Sequence, residues 1–375
     1  MTANLRSICL SGVRLFGVML AAGAMSLPAS AESLEQIKAE AAAATAPVTQ
    51  WDGPTTGPKA DKGKFVIYIA DTQTNAGSSG TALGAKEAAA ALGWKFQLLD
   101  GQNTATGQTS ALEQAIALKP DGLILGSFPA ERFTDLFKRA SAAGIKIVTW
   151  HSAAAPGPIA GAPEVFWNIS TDPYAIANTA GKYAVAHSNG TANAVLLTDK
   201  QYPIVVTKTK GESDGITACD TCKVLSEENA PYTEISQRMP SLASALLQRY
   251  GDKLGYILAF NDLYFDFSVP TLRSAGIAQD AKPFLISAGD GSVSAYERIR
   301  KGEYQIGTVP EPLNMHGWQA VDELNRAFHG EKPSGYTTKV HLVTKDNINA
   351  DGGDKNSFDP GNGYRDQYKK IWGVN

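Results

Sequence analysis

Cysteine is scarce in this chain: three in 375 residues, at positions 9, 219 and 222. That excludes a small scaffold stapled by many disulfides, and a zinc cluster built on thiolates, since one pair supplies only two of four ligands. Histidine is sparse as well, and the five present are scattered without metal-ligand spacing. No Gly-x-Ser-x-Gly elbow occurs, and Gly77-Ser78-Ser79-Gly80 is too short for a phosphate-cradling Walker loop and lacks its lysine. An excess of positive charge is also missing, with 34 basic residues against 37 acidic ones. Nothing in that balance asks for nucleic acid or an anionic membrane surface.

Long apolar runs are absent except one near the start. Arg6 and Arg14 precede the run Leu15 to Leu27, and Ala29-Ser30-Ala31 follows with the small residues that a signal peptidase reads. The run is shorter than the roughly 20 apolar residues of a membrane span and ends at Pro28. Residues 1–31 therefore read as a cleavable signal peptide, which predicts export to the periplasm. No cysteine lies at the cleavage point, so lipid attachment is not expected there. Removing Arg6 and Arg14 takes the 34 basic residues to 32 against 37 acidic ones, a net charge of −5. The exported chain retains Cys219 and Cys222 alone, and in an oxidising compartment their Cys-x-x-Cys spacing predicts a local disulfide. A redox centre would place the thiolate at a helix N-terminus after a strand, whereas this pair follows a predicted helix, 204–218, and precedes a strand, 223–225.

With 43% apolar residues, the chain has material for two cores. A leader, 32–62, carries a short helix over Leu34 to Ala44 and then the breaker-rich stretch Trp51 to Pro58. From Lys64 strands alternate with helices on short connections, which implies parallel sheets covered on both faces. The first series has strand Phe65 to Ala70, a polar loop over 71–80, helix 81–92, strand Lys95 to Leu99, helix Thr109 to Leu118, strand Gly122 to Leu125, helix Arg132 to Ala143 and strand Ile145 to Thr149. A second series runs from helix Pro173 to His187 through strand Ala192 to Leu197, helix 204–218, helix Ser241 to Arg249, strand Tyr256 to Ala259, helix Phe265 to Ala275 and strand Pro283 to Ser287. Helix Val293 to Lys301, strand Ile306 to Val309, helix Met315 to Ala327 and strand Lys339 to Val343 complete it. The remainder, with a short helix Tyr364 to Trp372, reads as a surface wrap.

Over Lys64 to Val343 the chain resembles the sugar-binding, ribose and galactose type of periplasmic solute-binding protein (type I). The likeness rests on Val66 to Ala70 with its loop, Gly84 to Trp94, Leu98 to Asn103, Pro120 to Leu125, Ala143 to Thr149, Ile257 to Asp262 and Ile286 to Gly291, in that order. It implies two Rossmann-like α/β lobes joined by a three-strand hinge, with crossings near Thr171, Pro310 and Val340. Lobe 1 would comprise 63–170 and 311–339, lobe 2 would comprise 171–310 and 340–345, and 346–375 would form the wrap. The related repressor proteins need a DNA-binding helix pair, which 32–62 does not offer.

Carried over residue by residue, the resemblance points to Asn75, His151, Lys208, Asn261, Asp290 and Glu311 as ligand contacts. Each follows the carboxyl end of a strand or opens a helix, where ligands of open α/β sheets bind. Paired carboxylates and amides suit vicinal hydroxyls. The chain departs from the family at Gly77 and Ser78, where aromatic rings are usual, at His151-Ser152 in place of an Asp-Arg pair, and at Lys208 in place of arginine. Trp150, Phe128, Tyr202, Tyr264 and Trp167 are candidates for a replacement stacking surface. Asp71, Asp262, Asp290 and Glu311 together would also suit a ligand carrying an amine.

The expectation is a monomeric, cofactor-free binder, not an enzyme, that delivers a sugar, polyol or related small polar solute to an inner-membrane ABC permease by hinge closure. A sensor subunit presenting its ligand to a membrane histidine kinase or chemoreceptor is the competing class.

Overall fold

The computed structural model describes residues 32–375, so the signal peptide, its cleavage point and Cys9 lie outside the described residues. Helix α1 (Leu34–Ala44) is opened by Ser33, whose hydroxyl accepts from the amide of Gln36 while the Gln36 side chain accepts from that of Ser33. Then follow β1 (Phe65–Ala70), α2 (Ala76–Ala91), β2 (Lys95–Asp100), α3 (Ala105–Ala117), β3 (Gly122–Gly126), α4 (Thr134–Ala142), β4 (Lys146–Trp150) and β5 (Val165–Ile169). These strands form one parallel five-stranded sheet in the order β2-β1-β3-β4-β5.

The chain continues with α5 (Pro173–His187), β6 (Asn193–Thr198), α6 (Pro203–Thr217), β7 (Lys223–Asn229), α7 (Ile235–Tyr250), β8 (Tyr256–Ala259), α8 (Leu263–Ser274), β9 (Phe284–Ser287), α9 (Val293–Lys301) and β10 (Gln305–Thr308). After α10 (Leu313–Phe328) come β11 (Val343–Thr344), α11 (Ile348–Asp351) and α12 (Tyr364–Trp372). The second sheet has six strands in the order β11-β10-β9-β8-β6-β7, all parallel except the two-residue β11. Two α/β lobes with the type I plan are therefore present, as the sequence implies.

Four elements differ from those expected, two of them for evident physical causes. Helix α2 begins at Ala76, five residues earlier than expected, because Asn75 caps it by accepting from the amides of Gly77 and Ser78 at 3.0 and 3.4 Å. The glycines that argue for a loop are there for space. A Cβ on Gly77 would strike Asp290 and Trp150, and one on Gly84 would strike the backbone of Asn314, where α2 and α10 pack closely. Helix α7 begins at Ile235 and carries Pro240 inside it, since Ile235 and Met239 are buried one turn apart and hold the first turns despite the missing donor. Strand β5 was not expected, and β11 is shorter than the strand predicted over Lys339 to Val343.

The leader and the tail both connect the lobes. Ile37 of α1 is buried against α5, and Lys182 on α5 pairs with Glu32 at 2.7 Å and Glu40 at 2.5 Å. The leader then crosses to the other lobe, where Trp51 packs on Tyr336 and Tyr368 and the carbonyl of Pro58 accepts from Asn325 at 2.8 Å. The tail runs back the same way. Ile348 and Phe358 are buried with Tyr296 and Ile299 of α9, and α12 then stacks Trp372 on Trp318 of α10, with ring centroids 5.4 Å apart. Together with 170–172, 309–312 and the segment before β11, the described chain passes between the lobes five times, where the resemblance implied three.

Candidate functional site

The cleft opens at the carboxyl ends of both sheets, the ligand position of open α/β folds. It measures about 500 Å³ counted to its open mouth, and its wall includes Asp71, Asn75, Ser127 and His151 from the first lobe. Lys208, Asn261 and Asp290 face them from the second, with an apolar and aromatic side made by Tyr202, Ile204, Val205, Tyr232 and Phe260. Six of the nine residues expected at a ligand site thus line one cavity: Asp71, Asn75, His151, Lys208, Asn261 and Asp290.

Each carboxylate is fixed by its own sequence neighbourhood. Asn75, the α2 cap, donates its side-chain N–H to Asp71 Oδ2 at 3.1 Å, while Asp71 Oδ1 is buried without a partner. Burial pushes the Asp71 carboxyl up to about 7, against the hydrogen bond from Asn75 and helped by the nearby Asp290. Across the cleft, Asn261 donates to Asp290 Oδ2 at 2.7 Å. Burial also raises the Asp290 carboxyl, with Lys208 and His151 opposing and Glu311 and Asp262 reinforcing the shift. Lys208 Nζ donates to the carbonyls of Ala288 at 2.6 Å and Phe260 at 3.3 Å, and lies 3.9 Å from Asp290 Oδ1. Lys208 thereby ties the ends of β8 and β9 to the cleft wall.

Three expected contacts lie behind the wall. Asp262 accepts from Gln305 Nε2 and from the amide of Gly291, both at 2.8 Å, and also from Ser287 and Ser292, so it clamps the turn that presents Asp290. Trp150 is fully buried, its indole stacked on the His151 ring at 3.6 Å. Glu311 is buried, ion-paired with His151, and accepts from the Thr171 amide at 2.8 Å. Of the other aromatic candidates, Tyr202 lines the cleft, Phe128 and Tyr264 are core, and Trp167 packs beside the first-lobe core.

The sequence reading missed Ser127, Ile204, Val205, Tyr232 and Phe260. Phe260 directly precedes Asn261 at the end of β8, a position that could have flagged it. Ser127 and His151 share a feature no sequence pattern announces: φ values of +62° and +56°, in the left-handed region that non-glycine residues enter at a cost. His151, Asp290 and Glu311 bring metal-type donor atoms within 4.8 Å of one another. Each donor is already engaged, by Glu311, by Asn261 and Lys208, and by His151 and Thr171 respectively, so the group reads as an ion-pair network.

Cys219 and Cys222 are buried free thiols here, where a disulfide was expected. Burial pushes the Cys222 thiol up to about 12. Burial also opposes ionisation of Cys219, but hydrogen bonds from Cys222 and Thr221 outweigh it and hold that thiol below its usual range.

The model of the periplasmic binding protein domain matches residues 66–332. The chain belongs to the periplasmic binding protein family. Among solved structures, this family member is similar to an ABC transporter solute-binding protein from Agrobacterium vitis bound with α-D-tagatopyranose, at 17% identity and a TM-score of 0.68, covering 79% of this chain and 99% of that one. A second protein from the same organism, with bound allitol, matches at 18% identity and 0.66, over 77% and 98%. A sugar ABC transporter protein from Yersinia enterocolitica matches at 17% and 0.67, over 85% and 100%. No curated protein matches. At these identities the neighbours establish the shared fold.

Proposed function

We propose that this periplasmic binding protein is the solute-capture component of an ABC importer, and that its ligand is a small sugar or polyol. The observation that carries the reading is the pair of buried carboxylates, Asp71 and Asp290, facing one cleft from opposite lobes beside Asn75, Asn261 and Lys208. A polyhydroxylated solute offers donors to both carboxylates and acceptors to both amides and the ammonium. Tyr202, Tyr232 and Phe260 supply apolar faces for the C–H surface of such a solute. Contacts from both lobes favour the closed arrangement, so binding and hinge closure are one equilibrium, and the closed surface is what a permease would recognise. The two similar proteins from Agrobacterium vitis hold α-D-tagatopyranose and allitol, which agrees with the class.

Export through a cleavable signal, a monomeric state, and ligand contact by Asp71, Asn75, His151, Lys208, Asn261 and Asp290 belong to this proposal. A thermal-shift screen of sugars, polyols and small amines tests it, followed by calorimetry on wild type and Asp290→Ala. Stabilisation by sugars or polyols that Asp290→Ala removes supports the reading. Hits confined to amines overturn the solute class.

A further inference from the structure

Behind the cleft, the structure joins His151 to all three inner passages between the lobes through one continuous chain of polar contacts. His151 Nε2 is ion-paired with Glu311 Oε2, and Glu311 lies in the return passage 309–312. The other oxygen, Oε1, accepts from the Thr171 amide at 2.8 Å, in the outward passage 170–172. The Thr171 hydroxyl contacts the Thr338 hydroxyl, in the passage that leads to β11. Thr338 Oγ1 lies 2.9 Å from His316 Nε2, and His316 Nδ1 lies 3.1 Å from Trp150 Nε1. The stack of Trp150 on His151 closes the ring.

Two of the bonds have a direction set by the donor inventory. An indole N–H can only donate, so His316 Nδ1 is the acceptor and its proton sits on Nε2, facing Thr338. Thr338 thus accepts from His316 and shares a hydrogen bond with the Thr171 hydroxyl. Burial agrees with this arrangement: it pushes the His316 imidazole down to about 4, against the attraction of Glu311, so the ring is neutral. Every member is buried, so removing one leaves a neighbouring polar group without its contact.

We propose that this ring is a relay by which the occupancy of the cleft is felt at the hinge, with Glu311 as the positioning residue at its centre. This rests on the reading of the cleft as the solute site. His151 is the member that lines the cleft, and its left-handed backbone leaves its ring between the cleft and Glu311. A solute that moves His151 must move Glu311, which lies in one passage and is bonded to a second through the Thr171 amide. Trp150 and His316 carry the same displacement to the third.

The test is run without solute, so that its failure is distinct from failure of the solute reading. His151 and Thr338 are joined only through other members of the ring. In thermal unfolding, the Tm loss of the double variant His151→Gln/Thr338→Val is expected to fall short of the sum of the single losses, and Thr338→Ser is expected to behave as wild type. Hydrogen exchange gives the second readout: in His151→Gln the Thr171 amide, which His151 does not touch, is expected to exchange at least about tenfold faster. Additive Tm losses together with an unchanged Thr171 amide overturn the relay. Glu311→Gln removes one of the two arms between His151 and Thr338 and is expected to reduce the non-additivity, and undiminished coupling in that background overturns the central place of Glu311.

Discussion

Asn261 holds Asp290: its side-chain amide donates to Asp290 Oδ2 at 2.7 Å, while its own oxygen accepts from the Leu263 amide at 2.9 Å. One residue therefore starts α8 and orients the carboxylate of the facing turn. Asp290→Asn is expected to lower solute affinity at least about tenfold, the scale of losing a hydrogen bond to a charged group. Calorimetry with the strongest solute from the screen checks it, with unchanged affinity as the contrary result.

Asp71 makes the unliganded protein sensitive to pH. Its carboxyl stands near 7 in the fold against 3.8 in the open chain, so the folded state binds the extra proton between those values. Stability is thus expected to fall as pH rises from about 4 to 7, by on the order of 3 kcal/mol from this group. Asp71→Asn should remove that slope, leaving the variant more stable than wild type at pH 8 and no more stable at pH 4. Urea unfolding across the range measures it.

Gly77→Ala would set a methyl against Asp290 and Trp150 at once. A loss of about 1–3 kcal/mol in stability, with loss of solute binding, is expected. Gly80→Ala meets the Leu313 side chain alone, from Cδ1 at 2.8 Å to Cβ at 3.1 Å, and serves as the comparison.

These positions show what the sequence makes legible. Alternating strands and helices give both sheets, and the residues that follow strand ends give five of the cleft residues, with Lys208 of α6 the sixth, because period and place in the fold are local properties. Asp262, Trp150 and Glu311 have the same residue types at the same kind of position, yet point away from the cleft. What separates Asp262 from Asp290 is the partner each finds across the chain, Gln305 for one and Asn261 for the other. Tyr232 escapes for the opposite reason: it stands before α7, distant in sequence from every motif, and only packing against Tyr264 brings it to the wall. The start of α2 was hidden because glycine counts against a helix in general, whereas here Asp290 and Trp150 leave room for nothing larger.

Trp372→Ala removes the stack on Trp318 and leaves Asp322 Oδ1 without the indole donor that reaches it at 2.8 Å. A loss of about 3–5 kcal/mol is expected in denaturant unfolding. An unchanged midpoint would show that α12 adds nothing to the first lobe.

The five passages between the lobes also limit how the protein can move. The shortest, 170–172 and 309–312, have three and four residues and can span at most about 10 and 14 Å. Tethers of that length allow the lobes to swing about the tethered edge but not to slide apart. A single proteolytic cut in the leader or the tail would leave the halves tied, so the cleft can open wide for a solute without the molecule coming undone.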